Sequence, residues 1–569
     1  MNRPIPEPKS RRRGRHANAH RARQEPSQTR RIGRFVNRNT IAIAAFLGAG
    51  HLLLTLVTFL PQPHTGGDNA AYISLGQSLL TQFSYSSLWD PATPPHTQYP
   101  PVFPAILAAG MLVGLQPFAS LKILISLMSA GAVAATFVWL RNRRRPVLAL
   151  GIGVLLALSP GVLELAHWIL SDVPFWFFTM LALWGFERLR PELRARFLMA
   201  TAAVALAYFT RSAGLPLLLA AFAWLSLKRR WSQLAIVAAT TIPLAFLWWL
   251  RARSQGGVDY ISQFWFVNPY SPELGRIGLT DLFGRAAENA IKYVRIHMPI
   301  LLTGRQNPAA LLVSVGIYGL ALAGWIRRMR RPALTELFTP LYAGLLLIWP
   351  AVWSGERFLL PVLPLILFYA ADMLVRLVHR VRRGATLAVA GAALATLIVM
   401  MLPAQADAVR ASARCMVEYR TGDRYPCLPL AWRDWFAVAE WAGTAMPDEA
   451  VVLSRKPTLF HVIGGRRGLY YPMSPEPAEL IRAARTAGAR YIVLDHLDGL
   501  SQLYLAPAVT GRIQAFCIMH SSPIDDTVVL GILDGAESMP DAAANPQATV
   551  PPCGPEYWSR EALRTMQNR

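Results

Sequence analysis

Residues 119–145 read ASLKILISLMSAGAVAATFVWLRNRRR, and this stretch decides the fold class. It is an apolar run long enough to cross a bilayer, which takes about 20 residues of helix. The run ends in four arginines, at positions 141, 143, 144 and 145. Because Lys and Arg accumulate on the cytoplasmic side of membrane spans, the stretch predicts a transmembrane helix whose C-terminal end faces the cytoplasm.

Apolar segments of the same kind recur along the chain. We predict spans at 41–60, 119–140, 147–166, 173–187, 197–210, 213–227, 232–250, 308–326, 335–353, 358–377 and 385–403. Segment 101–116 is also apolar, but it is short and interrupted by prolines, so we expect it to lie in the membrane interface without crossing. The pattern predicts a polytopic α-helical membrane protein with about 11 spans.

The distribution of positive charge orients these spans. Residues 1–38 contain 12 Lys and Arg, whereas residues 61–118 contain none. With eleven spans, every dense basic cluster falls on the side of the N-terminus, which the positive-inside rule places in the cytoplasm. We therefore predict a multi-pass plasma-membrane protein whose loops 61–118 and 251–307 and whose C-terminal tail are periplasmic or extracellular.

The net charge of +24 does not indicate a nucleic-acid partner. The chain is 53% hydrophobic and only 16% charged, and its mean hydropathy is +0.31. A nucleic-acid-binding domain concentrates basic residues on a folded surface, whereas here they separate apolar segments. We expect membrane lipids as partners, with the basic arm disordered and in contact with anionic headgroups.

Three parts follow from these patterns: a cytoplasmic arm over 1–38, a membrane core over 39–403 and an external α/β domain over 404–569. In the last part, periodicity predicts helices at 432–446 and 476–487 and strands at 451–453, 491–494 and 527–533. Residues 464–468 read GGRRG and are predicted as a turn.

All four cysteines lie in the predicted external domain: Cys415, Cys427, Cys517 and Cys553. An oxidising compartment permits disulfides there. Pairing Cys415 with Cys427 and Cys517 with Cys553 closes short loops and is one of three possible connectivities. Four buried free thiols are the alternative.

Two aspartates stand at external ends of predicted spans. Asp68 lies four residues before Tyr72 in the first external loop, and Asp172 opens the span 173–187. Either one has an ordinary structural explanation, because aspartate is a common N-cap of helices. Two carboxylates at one membrane depth also suit a site that activates a hydroxyl, where one accepts a proton and another orients it or binds a cation. We predict both as catalytic residues and as candidate ligands of a possible divalent metal ion.

Two isolated external arginines complete the candidate site. Arg211 separates two apolar runs, and Arg357 opens the stretch RFLLP. A charged side chain near lipid is costly and usually functional or paired, although a terminal arginine also reaches headgroups by snorkelling. Because a guanidinium suits phosphate oxygens, we predict that these two arginines bind a phosphate and have no carboxylate partner.

The order of these elements resembles a known family. It runs from an aspartate with a tyrosine four residues on, through YPP at Tyr99 and SDVPF at 171–175, to an isolated arginine and RFLLP at 357–361. This order resembles the C-type fold (GT-C) glycosyltransferases, in particular the bacterial relatives of protein O-mannosyltransferases and lipid A aminoarabinose transferases.

The resemblance implies a hexosyl- or pentosyltransferase that uses a polyprenyl-phosphate-linked sugar donor, has an external active site and inverts the anomeric carbon. It carries the catalytic carboxylate onto Asp68 and the second onto Asp172, with Tyr72 and Tyr99 in substrate binding. The acceptor would be a hydroxyl of a glycan, lipid or protein. The first loop lacks an Asp-Glu pair, so the metal requirement stays open; the external histidines His64, His96 and His167 are weaker candidate ligands.

Two other functions are compatible with this composition. A transporter or flippase of lipid-linked sugars is less favoured, since transporters place polar groups near the bilayer midplane and here they lie at span ends. A non-catalytic envelope assembly protein, whose tail binds a partner, is the second alternative. Asp68 and Asp172 discriminate between these functions, because only an enzyme needs them at one site.

The predicted topology is testable with reporter fusions. Fusions after Arg145 and after Arg383 should report a cytoplasmic location, because basic clusters remain on the cytoplasmic side of the membrane. A fusion after Ala404 should report an external location. A cytoplasmic reporter signal after Ala404 would contradict both the topology and the disulfides.

Overall fold

The computed structural model describes residues 27–143, 145–187, 194–254, 260–540 and 550–567. Most of the arm predicted to be disordered, residues 1–26, lies outside these ranges. The prediction is wrong for its end, because Ser27–Arg38 form a helix. Ile32 and Val36, one helical turn apart, pack into the hydrophobic core and stabilise this helix.

The first and larger part of the chain is helical. Its α-helices are α1 Ser27–Arg38, α2 Thr40–Val57, α3 Gly67–Thr81, α4 Val102–Leu112, α5 Ala119–Asn142, α6 Pro146–Leu158, α7 Pro160–Leu165, α8 Asp172–Glu187, α9 Arg194–Thr210, α10 Leu215–Leu227, α11 Trp231–Ser254, α12 Tyr260–Phe264, α13 Asp281–Lys292, α14 Met298–Thr303, α15 Pro308–Arg328, α16 Leu334–Ile348, α17 Leu363–Val381 and α18 Thr386–Arg420.

Every predicted span coincides with helix. Within the described residues, five helices are long and apolar enough to cross a membrane: α2, α5, α11, α15 and α18. The others are shorter or less apolar. Predicted span 147–166 divides at Ser159, because the residue before a proline disfavours helical dihedrals and Pro160 starts the next helix. The chain is a multi-pass membrane protein, and the number of eleven spans stays a prediction.

Buried ion pairs join the helices at one end of the bundle. Arg143 pairs with Glu187 and, at 3.0 Å, with Glu336. Asp372, only 1% exposed, lies within 3.3 Å of Arg145, Arg328 and Arg376. Arginines that follow the predicted spans 119–140 and 308–326 therefore meet Arg376, at the end of the predicted span 358–377. All of them lie at a single end of the bundle, the one predicted to be cytoplasmic.

The C-terminal part contains a five-stranded sheet in the order β2-β1-β3-β5-β4. Its strands are β1 Val451–Leu453, β2 Arg467–Leu469, β3 Tyr491–Leu494, β4 Phe516–Ser521 and β5 Val528–Ile532. Strand β1 is parallel to β2 and to β3, whereas β5 is antiparallel to β3 and β4. The helices are α19 Leu430–Ala445, α20 Pro457–Gly464, α21 Pro477–Ala487, α22 Ala506–Thr510 and α23 Arg560–Gln567.

The predicted helices and strands of this part are present within one or two residues, and two strands were missed. The predicted turn 464–468 contains the start of β2, an edge strand of the sheet. Its Arg-Gly-Leu sequence has no strand propensity of its own, and pairing with β1 makes it extended. Strand β4 was missed as well.

The C-terminal part docks directly on loop 61–118, the first loop predicted to be external. The Gly468 N–H of edge strand β2 donates to the Trp89 carbonyl at 2.7 Å, which covers the unpaired edge of the sheet. Ala70 of α3 is fully buried in the core of the C-terminal part. Helix α18 continues through residue 404 to Arg420, so a boundary at 404 would fall within a helix, and this boundary stays a prediction.

The four cysteines form two disulfides with the short-loop pairing. Cys415 joins Cys427 across a sequence separation of 12, and Cys517 joins Cys553 across one of 36. The first pair links the end of α18 to the segment that leads into α19. The second pair ties the end of the chain to β4, next to β5.

Removal of each disulfide should destabilise the C-terminal part unequally. Chain entropy gives about 4 kcal/mol for the longer loop and about 3 kcal/mol for the shorter one. The paired alanine variant of Cys517 and Cys553 should therefore have the lower thermal midpoint. Peptide mapping without reduction should recover both cross-links; four alkylatable thiols in the native protein would contradict this pairing.

Candidate functional site

The first predicted catalytic residue lies in the first turn of α3. This helix begins at Gly67 with Gly66 at the N-cap position, so Asp68 is not the cap. Its Oδ1 accepts a hydrogen bond from the Tyr99 hydroxyl at 2.9 Å. Its Oδ2 lies 3.6 Å from Arg357 Nη1, and 44% of the side chain is exposed. Asp68 is therefore oriented by two side chains and still accessible.

The second aspartate is held differently. Asp172 Oδ2 lies 2.8 Å from Arg211 Nη1, and its side chain is only 4% exposed. The same guanidinium nitrogen donates to Ser171 Oγ at 3.1 Å, and Ser171 Oγ hydrogen-bonds the Tyr72 hydroxyl at 3.0 Å. The carboxylate of Asp172 thus fixes Arg211 and does not serve as a helix cap.

Aromatic rings connect the two halves of the site. Arg211 and Arg357 each lie 4.8 Å from the Phe358 ring, in the range of a cation–π contact. On the opposite side, the Tyr72 and Tyr99 rings are 4.7 Å apart. The contacts close into one ring, which consists of Asp68, Tyr99, Tyr72, Ser171, Arg211 with Asp172, Phe358 and Arg357. The structure thus brings together all six residues predicted for the catalytic and substrate-binding site.

The structure corrects one feature of that prediction. Arg211 and Arg357 were expected to have no carboxylate partner, and each is paired with one of the two aspartates. The physical reason is the cost of an unpaired charge near lipid, which a nearby opposite charge reduces. The pairing holds each guanidinium in one orientation.

The residues present do not assemble a metal site. Among the described residues, no three His, Cys, Asp or Glu side chains come together as ligands. The two aspartates, the candidate ligands, each face an arginine, whose positive charge repels a second cation.

The histidines predicted to be external have structural roles. His96 Nε2 accepts from the Tyr99 N–H at 3.1 Å, and His64 Nδ1 accepts from the Gly66 N–H at 3.0 Å. Burial lowers the pKa of His64 and of His96 to about 4, so both are neutral at pH 7 and able to accept. His167 hydrogen-bonds the Thr55 carbonyl at 2.8 Å. These contacts position the backbone around Tyr99 and Asp68.

Sequence reasoning missed several members of the site. Ser171 and Phe358 stand next to predicted residues, so the motifs SDVPF and RFLLP contained the signal. No local signal indicated the C-terminal part. There, Thr458 Oγ1 donates to the Gly67 carbonyl at 3.2 Å across 391 positions of sequence.

The contribution of the buried Arg211–Asp172 pair to the stability of the protein can be tested. Arg211→Gln leaves the Asp172 carboxylate buried without its charge partner, which typically costs 3–5 kcal/mol. We expect a clearly lower thermal midpoint for Arg211→Gln and partial recovery in the double variant Arg211→Gln/Asp172→Asn, where no charge is left unpaired. Equal midpoints for the single and double variants would contradict the pairing.

Comparison with known proteins identifies the fold. No family model and no curated protein sequence matches this chain. ArnT from Cupriavidus metallidurans in the apo state superposes with a TM-score of 0.52 at 13% identity, covering 86% of this chain and 98% of that one. The same protein bound to undecaprenyl phosphate superposes with a TM-score of 0.51 at 14% identity and the same coverage.

A second group of similar structures comes from an archaeon. The Archaeoglobus fulgidus oligosaccharyltransferase, in complex with Zn and sulfate, superposes with a TM-score of 0.51 at 16% identity and covers 86% of this chain and 72% of that one. These identities are too low to transfer an activity, but the length of chain that superposes is large. The resemblance found in the sequence is confirmed, and the chain has the fold of the C-type glycosyltransferases.

Proposed function

We propose that this protein is a membrane glycosyltransferase that moves a sugar from a polyprenyl-phosphate-linked donor to a hydroxyl acceptor at the external face of the membrane. The observation that carries the proposal is the closed ring of contacts in which an accessible aspartate stands beside two oriented arginines. Such a site offers a proton acceptor next to a binding place for an anion, which is what this transfer needs.

Asp68 is the proposed base. The acceptor oxygen forms a bond to the anomeric carbon while its proton passes to the Asp68 carboxylate. The bond from the anomeric carbon to the phosphate oxygen breaks, and the electron pair leaves with the polyprenyl phosphate. Attack from the face opposite the phosphate inverts the anomeric centre. Exposure favours Asp68 over Asp172 for this role, because a base must reach its substrate.

Arg357 and Arg211 are the proposed phosphate ligands. As the phosphate leaves, negative charge develops on its oxygens, and fixed guanidinium groups stabilise that charge without reorganisation. Asp172, Ser171 and Phe358 hold Arg211 in place before the donor arrives. Tyr72 and Tyr99 line the proposed substrate side of the ring, with hydroxyl groups already placed by Ser171 and Asp68.

Ligands of the structurally similar proteins support a lipid-phosphate donor. One ArnT structure is bound to undecaprenyl phosphate. The Archaeoglobus fulgidus oligosaccharyltransferase AglB, which superposes with a TM-score of 0.50 at 14% identity, is in complex with an inhibitory peptide and a dolichol-phosphate. For this chain, the external location of the site rests on the positive-inside rule and on the charge network at the opposite end of the bundle.

The two alternative functions, a transporter and a non-catalytic anchor, explain fewer features of this site. A transporter places its polar groups near the bilayer midplane, whereas these residues lie at helix ends and in loops. A non-catalytic anchor has no need for two aspartates in one contact network. The ring of contacts therefore favours the enzyme over both.

Asp68→Asn tests the proposed base. The amide keeps the size of the side chain and a hydrogen-bond acceptor for Tyr99, but it does not take up the proton. General-base assistance of this kind is worth roughly 10²–10⁴-fold. We expect normal expression and folding with a loss of transfer in that range, measured as restoration of envelope glycans and glycolipids in a deletion strain.

Two further variants make this test specific. Asp90→Asn changes an aspartate of the same loop whose side chain accepts a hydrogen bond from the local Ala92 N–H at 2.9 Å, and it should restore transfer fully. Undecaprenyl phosphate should stabilise the purified Arg357→Gln protein less than wild type. It should stabilise Asp68→Asn as much as wild type. Full transfer by Asp68→Asn would remove Asp68 as the base.

A further inference from the structure

The parallel strands of the C-terminal sheet end at the edge that faces Asp68. Strands β2, β1 and β3 run parallel, so the residues that follow them meet at one edge: Tyr470 after β2, Ser454 to Lys456 after β1, and Asp495 to Asp498 after β3. The chain leaves β1 toward β2 and leaves β3 toward the opposite side of the sheet. Ligands bind in the crevice at this kind of switch point.

Buried polar side chains beneath this edge of the sheet have unused hydrogen-bonding capacity. Asp495 Oδ1 accepts from Ser501 Oγ at 2.7 Å, and Ser501 Oγ contacts the Tyr471 hydroxyl at 2.9 Å. Asp495 and Ser454 are both fully buried. Within the described part of the chain, Asp495 Oδ2 and Ser454 Oγ have no hydrogen-bond partner, although buried polar atoms are normally satisfied.

The rim of the crevice is accessible and carries both signs of charge. Arg455 Nε donates to Asp498 Oδ2 at 2.8 Å, which joins the ends of β1 and β3, and the Asp498 side chain is 34% exposed. Tyr470 is 53% exposed. Lys456 is partly buried, which lowers its pKa, and the carboxylates of Asp498 and Asp68 oppose this lowering.

The same edge adjoins the proposed catalytic base. Thr458, two residues after Lys456, donates to the Gly67 carbonyl at 3.2 Å. A Cβ on Gly67 would lie only 3.9 Å from the Tyr470 hydroxyl. Tyr470 therefore lies close to the turn that contains Asp68, and Lys456 is near enough to the Asp68 carboxylate for the two charges to interact.

We propose that this crevice, rimmed by Tyr470, Lys456 and Asp498, is the acceptor subsite and that it binds a saccharide. The inference rests on the proposed function, because it assigns the place from which the acceptor hydroxyl reaches Asp68. The donor lipid must enter from the bilayer, where Arg357 and Arg211 lie. The acceptor then approaches from the side of the C-terminal part.

The chemistry of the rim favours a saccharide over a lipid. Hydroxyl groups need both donors and acceptors, and Lys456, Asp498 and the Tyr470 hydroxyl supply them. The exposed Tyr470 ring offers a flat apolar surface for the face of a sugar ring. An acyl chain needs a continuous apolar lining, which charged residues at this edge interrupt.

Binding of the purified full-length protein to an array of bacterial envelope oligosaccharides tests the proposal. Wild type should bind a subset of the glycans, and Tyr470→Ala and Lys456→Met should each lower the apparent affinity at least tenfold. The conservative Tyr470→Phe should retain more binding than Tyr470→Ala. Tyr419→Ala, which changes an exposed tyrosine on α18, should bind as wild type does. Thermal midpoints identify any variant that fails to fold.

Undecaprenyl phosphate separates this inference from the proposed function. It should stabilise wild type, Tyr470→Ala and Lys456→Met equally, because the crevice does not hold the donor. Stabilisation by undecaprenyl phosphate without binding to any glycan, or glycan binding that the crevice variants leave unchanged, would overturn the acceptor subsite and leave the proposed function standing. Glycan binding without stabilisation by undecaprenyl phosphate would support the subsite and contradict the proposed donor.

Discussion

The cost of an unpaired charge beside lipid governs both ends of this helix bundle. At the end predicted to be cytoplasmic, Glu187, Glu336 and Asp372 neutralise arginines that belong to separate helices. At the other end, Asp172 and Asp68 do the same for Arg211 and Arg357. Because each pair joins residues distant in sequence, the requirement for charge pairing also determines how the helices assemble.

The Asp172–Arg211 and Asp68–Arg357 pairs differ in how far their carboxylates are exposed. The Asp172 side chain is 4% exposed, whereas that of Asp68 is 44% exposed. A sequestered pair positions a cation, and an accessible one leaves a carboxylate that a substrate can reach. The same combination of residues thus provides one positioning aspartate and one candidate base, and the aromatic ring of Phe358 holds the two arginines side by side.

The C-terminal part contributes to the site as well as covering it. Hydrogen bonds from Thr458 and Gly468 to loop 61–118, with Ala70 buried in the C-terminal core, fix the C-terminal part against α3. Its two disulfides constrain both of its ends. The position of Asp68 therefore depends on both the helical part and the C-terminal part of the chain. A substitution in the C-terminal part should change the position of the proposed base.

Sequence alone determined the class of the protein and predicted six residues that the structure brings into one ring of contacts. Apolar segments and basic clusters predict membrane spans directly, because the length of an apolar segment and the charge beside it are both properties of the local sequence. The residues of the site stand in short motifs, so their types and order were readable. Only the tertiary structure showed the pairing of Arg211 with Asp172 and of Arg357 with Asp68. The same holds for the edge strand β2 and for the hydrogen bond of Thr458 to the turn that contains Asp68. These contacts join residues far apart in the chain. A local sequence pattern does not indicate which distant residue will pair with a buried charge or hydrogen-bond to the edge of a sheet.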